Sequence, residues 1–205
     1  MQKKSLQNII LFLVLYAGVF FTLSCQNPDA WEERHNRKQP PDKVMDAIGV
    51  KPGKIVGEVG AGRGRYVVHM ARRVGPEGKV YANDINKNKL KYLRSRCKRE
   101  NILNIETVLG EVDDPKLPEG QLDVIYVINT YHHLDRKIDI MKNIKPALKP
   151  DGIFVIIENE PNKSGWESHA TPKDVVIREA GEAGFELVRI EDFLEEDNIY
   201  IFKVK

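Results

Sequence analysis

One short stretch constrains this chain more than any other: an apolar run that breaks into alternating glycines. It reads Val56-Gly-Glu-Val-Gly-Ala-Gly-Arg-Gly-Arg-Tyr66, with glycine at 60, 62 and 64 and the acidic Glu58 two positions before the first of these. Glycine adopts φ > 0 without a Cβ clash and lets a ligand come close to bare backbone. An apolar strand that runs into such a turn and then into a helix is the place where α/β proteins hold nucleotide-like cofactors. The usual dinucleotide fingerprint is G-x-G-x-x-G. Here the spacing is G-x-G-x-G and Arg65 stands in the position of the final glycine, where it crowds the helix–strand approach. No second pair of βαβ units follows to hold a nicotinamide half.

Apolar periodicity supplies the frame around this turn. Strands are predicted over Lys54–Val59, Lys79–Asn83, Ile105–Leu109, Leu122–Asn129, Ile153–Glu158, Phe185–Ile190 and Asn198–Val204. Helices are predicted over Gly64–Val74, Lys87–Glu100, Arg136–Leu148 and Pro172–Ala183, the last capped by Thr171, and a helix starts at Pro41. The basic helix at 87–100 is apolar at Leu90, Leu93 and Cys97, which makes Cys97 a buried structural thiol. Leu122–Asn129 is apolar almost throughout, as in a strand buried on both faces. Alternation of strand and helix means a parallel sheet covered on both sides. The last two strands have no helix between them and must pair antiparallel.

At 205 residues the chain suits one domain with a sizeable core. The formal net charge of +2 is supplied by Lys3 and Lys4, so the rest of the chain is neutral overall and offers no electrostatic case for a nucleic-acid partner. Those lysines precede an uncharged apolar run, Ile9 to Leu23, ending at Ser24-Cys25. Fifteen residues fall short of the roughly twenty that a spanning helix needs, and suit the h-region of a signal peptide. The alternative is an uncleaved membrane anchor. Residues 26–40 are polar and read as a tether, which leaves 41–205 as the domain. The only cysteines are Cys25 and Cys97, so lipidation of Cys25 would leave no disulfide. Monomer and homodimer are both compatible with this composition.

The motif E-x-G-x-G-x-G of Glu58, Gly60, Gly62 and Gly64 resembles motif I of the class I S-adenosylmethionine-dependent methyltransferases. The segment Phe21-Thr-Leu-Ser-Cys25 resembles a bacterial lipobox, with Thr22 where leucine is usual. The first resemblance implies a Rossmann-like three-layer sandwich, with a mostly parallel seven-stranded sheet and an antiparallel last strand. It also implies S-adenosylmethionine as cofactor and a small molecule as methyl acceptor; the alternative is an exported or membrane-anchored module that binds S-adenosylmethionine without transferase activity. The second implies a membrane-associated lipoprotein.

Carried over position by position, the family pattern puts the cofactor against Glu58, Gly60, Ala61, Gly62 and Gly64. Asp84, about twenty residues after the last glycine, takes the ribose hydroxyls, with Ile85 beside it; as residues alone, Asp84 also reads as a cap for the next helix. Glu111 matches the acidic group for the adenine amino group, or is a solvated loop residue, and the Val112 N–H reaches towards the ring. Asn129 ends the fourth strand against the cofactor. His132 and His133 resemble the His-His-Leu after that strand in small-molecule methyltransferases. They serve either as a general base or as helix-capping and packing groups. Lys149-Pro-Asp-Gly152 resembles the family's structural turn into strand five. Trp166 and His169 belong to a lid or to a surface loop. No metal is called for.

Overall fold

Strand order brings the carboxyl ends of five neighbouring parallel strands to one edge of the sheet. The structure is a computed structural model that describes residues 28–165 and 169–205. The apolar run, Cys25 and Trp166 lie outside the described residues. No helix among the described residues is long and apolar enough to cross a membrane. In chain order the strands are β1 (Ile55–Val59), β2 (Lys79–Asp84), β3 (Ile105–Leu109), β4 (Leu122–Ile128), β5 (Leu148–Asn159), β6 (Phe185–Glu191) and β7 (Asp197–Val204). They make one sheet of order β3-β2-β1-β4-β5-β7-β6. All neighbours pair in parallel except β7, which runs antiparallel to both β5 and β6. This is the expected Rossmann-like sheet. The strand order reverses between β1 and β4, the switch point at which open α/β sheets hold their ligands.

Period-two alternation sorts the sheet residues between two cores. Val56, Val80, Val124, Tyr126, Val155 and Ile157 face one side. There they meet Val44 and Met45 of α2 (Pro41–Ala47), Val67 and Met70 of α3 (Val67–Val74), and Leu93 and Cys97 of α4 (Lys87–Arg99). Ile125, Val127, Phe154, Ile156 and Phe202 face the other side, with Ile140 and Met141 of α5 (Lys137–Ile144) and Val176 and Ala180 of α7 (Lys173–Glu182). Short α6 (Pro161–Ser164) follows β5. Cys97 is a buried free thiol, as its spacing from Leu90 and Leu93 indicated.

Several boundaries differ from the pattern read from sequence, each for a local reason. The stretch 26–40 is helical over α1 (Pro28–Lys38), with proline at the first position, Glu33 and Arg37 paired 3.4 Å apart one turn on, and the Trp31 and His35 rings 4.1 Å apart. α3 starts at Val67 because the Gly64 N–H closes a turn onto Ala61 O (2.9 Å). α5 stops at Ile144, since Pro146 cannot continue an α-helix, and β5 begins early at Leu148, paired with Leu122. Thr171 does not cap α7. Its hydroxyl instead donates to Glu158 Oε1 at 3.3 Å and accepts no N–H of the helix start.

Candidate active site

The turn after β1 is folded across the end of β2. The Gly60 and Ala61 N–H groups both donate to Asn83 O, at 2.9 and 2.7 Å. This brings the Gly62 N–H to 2.8 Å from Asp84 Oδ2, while Asp84 Oδ1 accepts the Asn86 N–H at 2.7 Å. Asn86, not Asp84, caps α4, accepting from the Asn88 and Lys89 N–H groups. A carboxylate offers about four lone-pair sites. Asp84 uses two of them internally and keeps two for a pair of hydroxyls.

The glycines divide the work of the turn. Gly60 (φ +79) lies under Thr130, with no room for a side chain. Gly62 (φ +58) has open space where a Cβ would stand, so its backbone is bare to a ligand. Gly64 abuts Leu93 and seats the turn on α4. Beyond Asp84, Ile85 is 60% exposed, and Val112, just past the neighbouring strand end, is 47% exposed. Two uncovered apolar side chains beside a carboxylate with open lone-pair sites suit a nucleoside base. The residues present therefore fit an adenosyl group.

Other expected residues fall in different surroundings. Glu58 points into the core and accepts the Tyr126 hydroxyl at 2.7 Å. Burial pushes its carboxyl up to about 7, against the lowering effect of that hydrogen bond and of Arg65. Glu111 is exposed and its carboxylate is engaged by Lys116, while its N–H donates to Asp114 O at 2.7 Å. The carboxylate sought for the adenine amino group stands, in this structure, as half of a surface ion pair.

Asn129 follows β4 with φ +50, a left-handed conformation that asparagine tolerates better than most residues. Its amide pairs reciprocally with Gln39, whose Nε2 donates to Asn129 Oδ1 (2.7 Å) and whose Oε1 accepts Asn129 Nδ2 (3.1 Å). Gln39 Nε2 also donates to Asp197 Oδ2 (2.9 Å), and Oε1 accepts from Arg65 Nη2 (2.8 Å). All four hydrogen-bonding positions of the Gln39 side-chain amide are filled, and the Gln39 backbone carbonyl accepts the Tyr66 hydroxyl at 3.2 Å. Gln39 is only 3% exposed. Nothing in the polar stretch 26–40 marked it, because its partners lie 26, 90 and 158 positions away. Burial holds Asp197 up at about 6, with the Gln39 hydrogen bond opposing the shift.

On the far side of Asn129, a 3-10 turn (Tyr131–His133) presents the two histidines. His132 Nδ1 lies 2.7 Å from Glu158 Oε1, and its Nε2 lies 3.1 Å from His133 Nε2. Glu158 is wholly buried at the end of β5. Its carboxyl is pushed up by desolvation, opposed chiefly by His132. His133 is held below the ordinary histidine value by burial and by the positive fields of His132, His169 and Lys89. His169 completes a three-histidine group with these two. The sequence leaves His169 in a lid or a surface loop with no link to the pair, and Glu158 reads as the last residue of an apolar strand.

Comparison with known proteins agrees with this geometry. Residues 56–152 match the family model described as "Methyltransferase domain". The demethylmenaquinone methyltransferase of Listeria welshimeri is 26% identical over 126 residues, 61% of this chain and 53% of that protein. Its counterpart in Geobacillus stearothermophilus is 27% identical over 124 residues, 60% and 53% of the two chains. The chain thus spans about half the length of these relatives. An S-adenosylmethionine-dependent methyltransferase from Aquifex aeolicus superposes with a TM-score of 0.75 at 25% identity, covering 80% of this chain and 89% of its own. Glycine turn, strand order and these matches agree: residues 56–152 are similar to a methyltransferase domain, on a fold shared with an S-adenosylmethionine-dependent methyltransferase.

Proposed function

We propose that the protein transfers the methyl group of S-adenosylmethionine to a small-molecule acceptor that approaches from the side of His132, His133 and Asn129. The observation that carries this reading is Asp84, a carboxylate tied to the Gly62 N–H at 2.8 Å, with two lone pairs left over beside open backbone. When bound, S-adenosylmethionine supplies a pre-activated methyl group: an acceptor lone pair takes the carbon as the carbon–sulfur bond's electron pair returns to sulfur. The chain's own contribution is alignment, with the glycine turn and Asp84 holding the nucleoside at the carboxyl edge of the sheet. His132 and His133 stand where an acceptor proton would be removed. The demethylmenaquinone methyltransferases among its relatives favour a small, apolar acceptor over a macromolecule.

Calorimetric titration of the full-length chain with S-adenosylmethionine and with its demethylated product tests the assignment. Both should bind in the micromolar range. Asp84→Ala should weaken both by about 1.5–3 kcal/mol, roughly 10- to 150-fold, because a charge-assisted hydrogen-bond acceptor is lost. Asp84→Asn keeps the shape and should fall between. Unchanged affinity in Asp84→Ala would remove the cofactor site from this edge of the sheet.

Membrane attachment through Cys25 belongs to the same reading. Its support is the basic Lys3-Lys4, the apolar run Ile9–Leu23 and Ser24-Cys25. Metabolic labelling with palmitate should mark the wild-type chain and leave Cys25→Ala unlabelled. Labelling that persists in Cys25→Ala, or fails in both, rejects lipidation at this cysteine.

A further inference from the structure

Three of the five histidines in the chain converge at the acceptor side of the site: His132, His133 and His169. One ring nitrogen from each lies within 4.8 Å of the others. The residues come from two separate segments, the turn after β4 and the loop after β5, so the convergence is a product of sheet order. His169 is steadied by its own carbonyl, which accepts the Asn159 Nδ2 at 3.0 Å, and Thr171, two residues on, ties its N–H to Asn159 O at 3.2 Å.

The hydrogen bond of His132 to Glu158 leaves its other ring nitrogen facing inward. Glu158 is a carboxyl with no exposure to water, and His132 is its ion-pair partner among the described residues. With His132 Nδ1–H donating to Glu158, its Nε2 carries the free lone pair and faces His133 Nε2. A carboxylate behind a histidine, fixing its tautomer and raising its basicity, is the supporting arrangement found behind metal-ligating imidazoles. Among the described residues Glu158 Oε2 has no hydrogen-bond partner, so this buried carboxyl has unmet capacity directly behind the cluster, which a cation in front of His132 would help to offset.

We propose that His132, His133 and His169 form a three-nitrogen site for a divalent cation of borderline softness, Zn²⁺ being the best match, with Glu158 as the positioning residue behind His132. Two nitrogens bound to one tetrahedral zinc at about 2.0–2.1 Å each stand roughly 3.3 Å apart, close to the His132–His133 separation. Rotation of the exposed His169 ring supplies the third. Imidazole ligands suit zinc, copper and nickel over magnesium or calcium. Three protein ligands leave a position open, as in catalytic zinc sites. An oxygen or sulfur acceptor taking that position would lose its proton to solvent under the cation's field, so the histidines would serve the acceptor through the metal instead of as bases.

The test uses the full-length chain, prepared without a histidine tag and stripped with a chelator. Titration with Zn²⁺ should show one equivalent bound in the micromolar range or tighter. Co²⁺ should give the visible absorption of a four-coordinate site. His169→Ala and His133→Ala should each weaken Zn²⁺ binding at least tenfold, and Glu158→Gln by about 10- to 100-fold. Asp84→Ala should lose S-adenosylmethionine affinity and keep Zn²⁺ binding, so the metal site and the cofactor site stand or fall separately. Absence of one-equivalent Zn²⁺ binding, or binding unchanged in His169→Ala, overturns the proposal. His169 lies on an exposed loop, so its variant decides the matter even if buried Glu158→Gln fails to fold.

Discussion

Gly60→Ala should destabilise the protein by about 2–5 kcal/mol, whereas Gly62→Ala should cost only about 1 kcal/mol and yet abolish tight cofactor binding. Both glycines have φ in the left-handed region, which charges an alanine about 1–2 kcal/mol. The difference lies in what surrounds them. A Cβ on Gly60 would stand 2.3 Å from Thr130 Cγ2 and 2.8 Å from its Oγ1. Thr130 cannot retreat freely, because its hydroxyl donates to Ile128 O at 3.1 Å. Overpacking of this kind adds about 1–3 kcal/mol. At Gly62 nothing lies within 4 Å, so an added methyl group meets no protein atom and instead occupies the space reserved for ligand. Urea denaturation of the two variants, followed by titration with S-adenosylmethionine, separates the roles. Thr130→Ala removes the nearest methyl and should return part of the stability lost in Gly60→Ala. Equal stability losses at the two positions would contradict the division of labour.

Glu58→Gln should raise stability relative to wild type increasingly with pH, by about 3 kcal/mol between pH 4.5 and pH 8. Glu58 has its carboxyl pushed from 4.5 up to about 7 by burial beside Tyr126. A raised carboxyl pKa means that the fold favours the protonated form. Its contribution is therefore fully present below the unfolded value near 4.5 and is lost as pH rises through about 7. Glutamine has no charge to desolvate and is free of that loss. Absolute stability at low pH depends on how the extra amide N–H is accommodated, so the pH-dependent difference is the diagnostic quantity. Asp197, held near 6, and Glu158, also raised, act in the same direction in the wild type. The wild-type protein should accordingly lose stability from pH 5 to pH 8, and Glu58→Gln should flatten that slope without removing it. Parallel wild-type and mutant profiles would mean that Glu58 titrates like an exposed carboxylate.

Wherever the determining interaction is local, the sequence alone was sufficient. Continuous apolar runs at 124–128 and 153–157 became strands buried on both faces, because such runs are stable only inside a covered sheet. Leu90, Leu93 and Cys97 went inside because they share one face of a helix. The glycine turn and Asp84, contained in a single strand–helix–strand unit, are legible in the sequence as a nucleotide-cradle pattern.

What only the tertiary structure decided is the pairing of polar groups over long separations. Gln39 sits in a stretch with no apolar signature, and its burial follows from partners contributed by α3's approach, β4 and β7. Glu58 looks like a ligand-facing acid in sequence. Strand register places it beside Tyr126, 68 positions later, and turns it into the core. His169 meets His132 and His133 because β4 and β5 are neighbours in the sheet. Hydrophobic burial depends on each residue's own periodicity and so is written locally along the chain. A buried hydrogen bond needs a second group brought to about 3 Å, and the order of strands determines which group that will be.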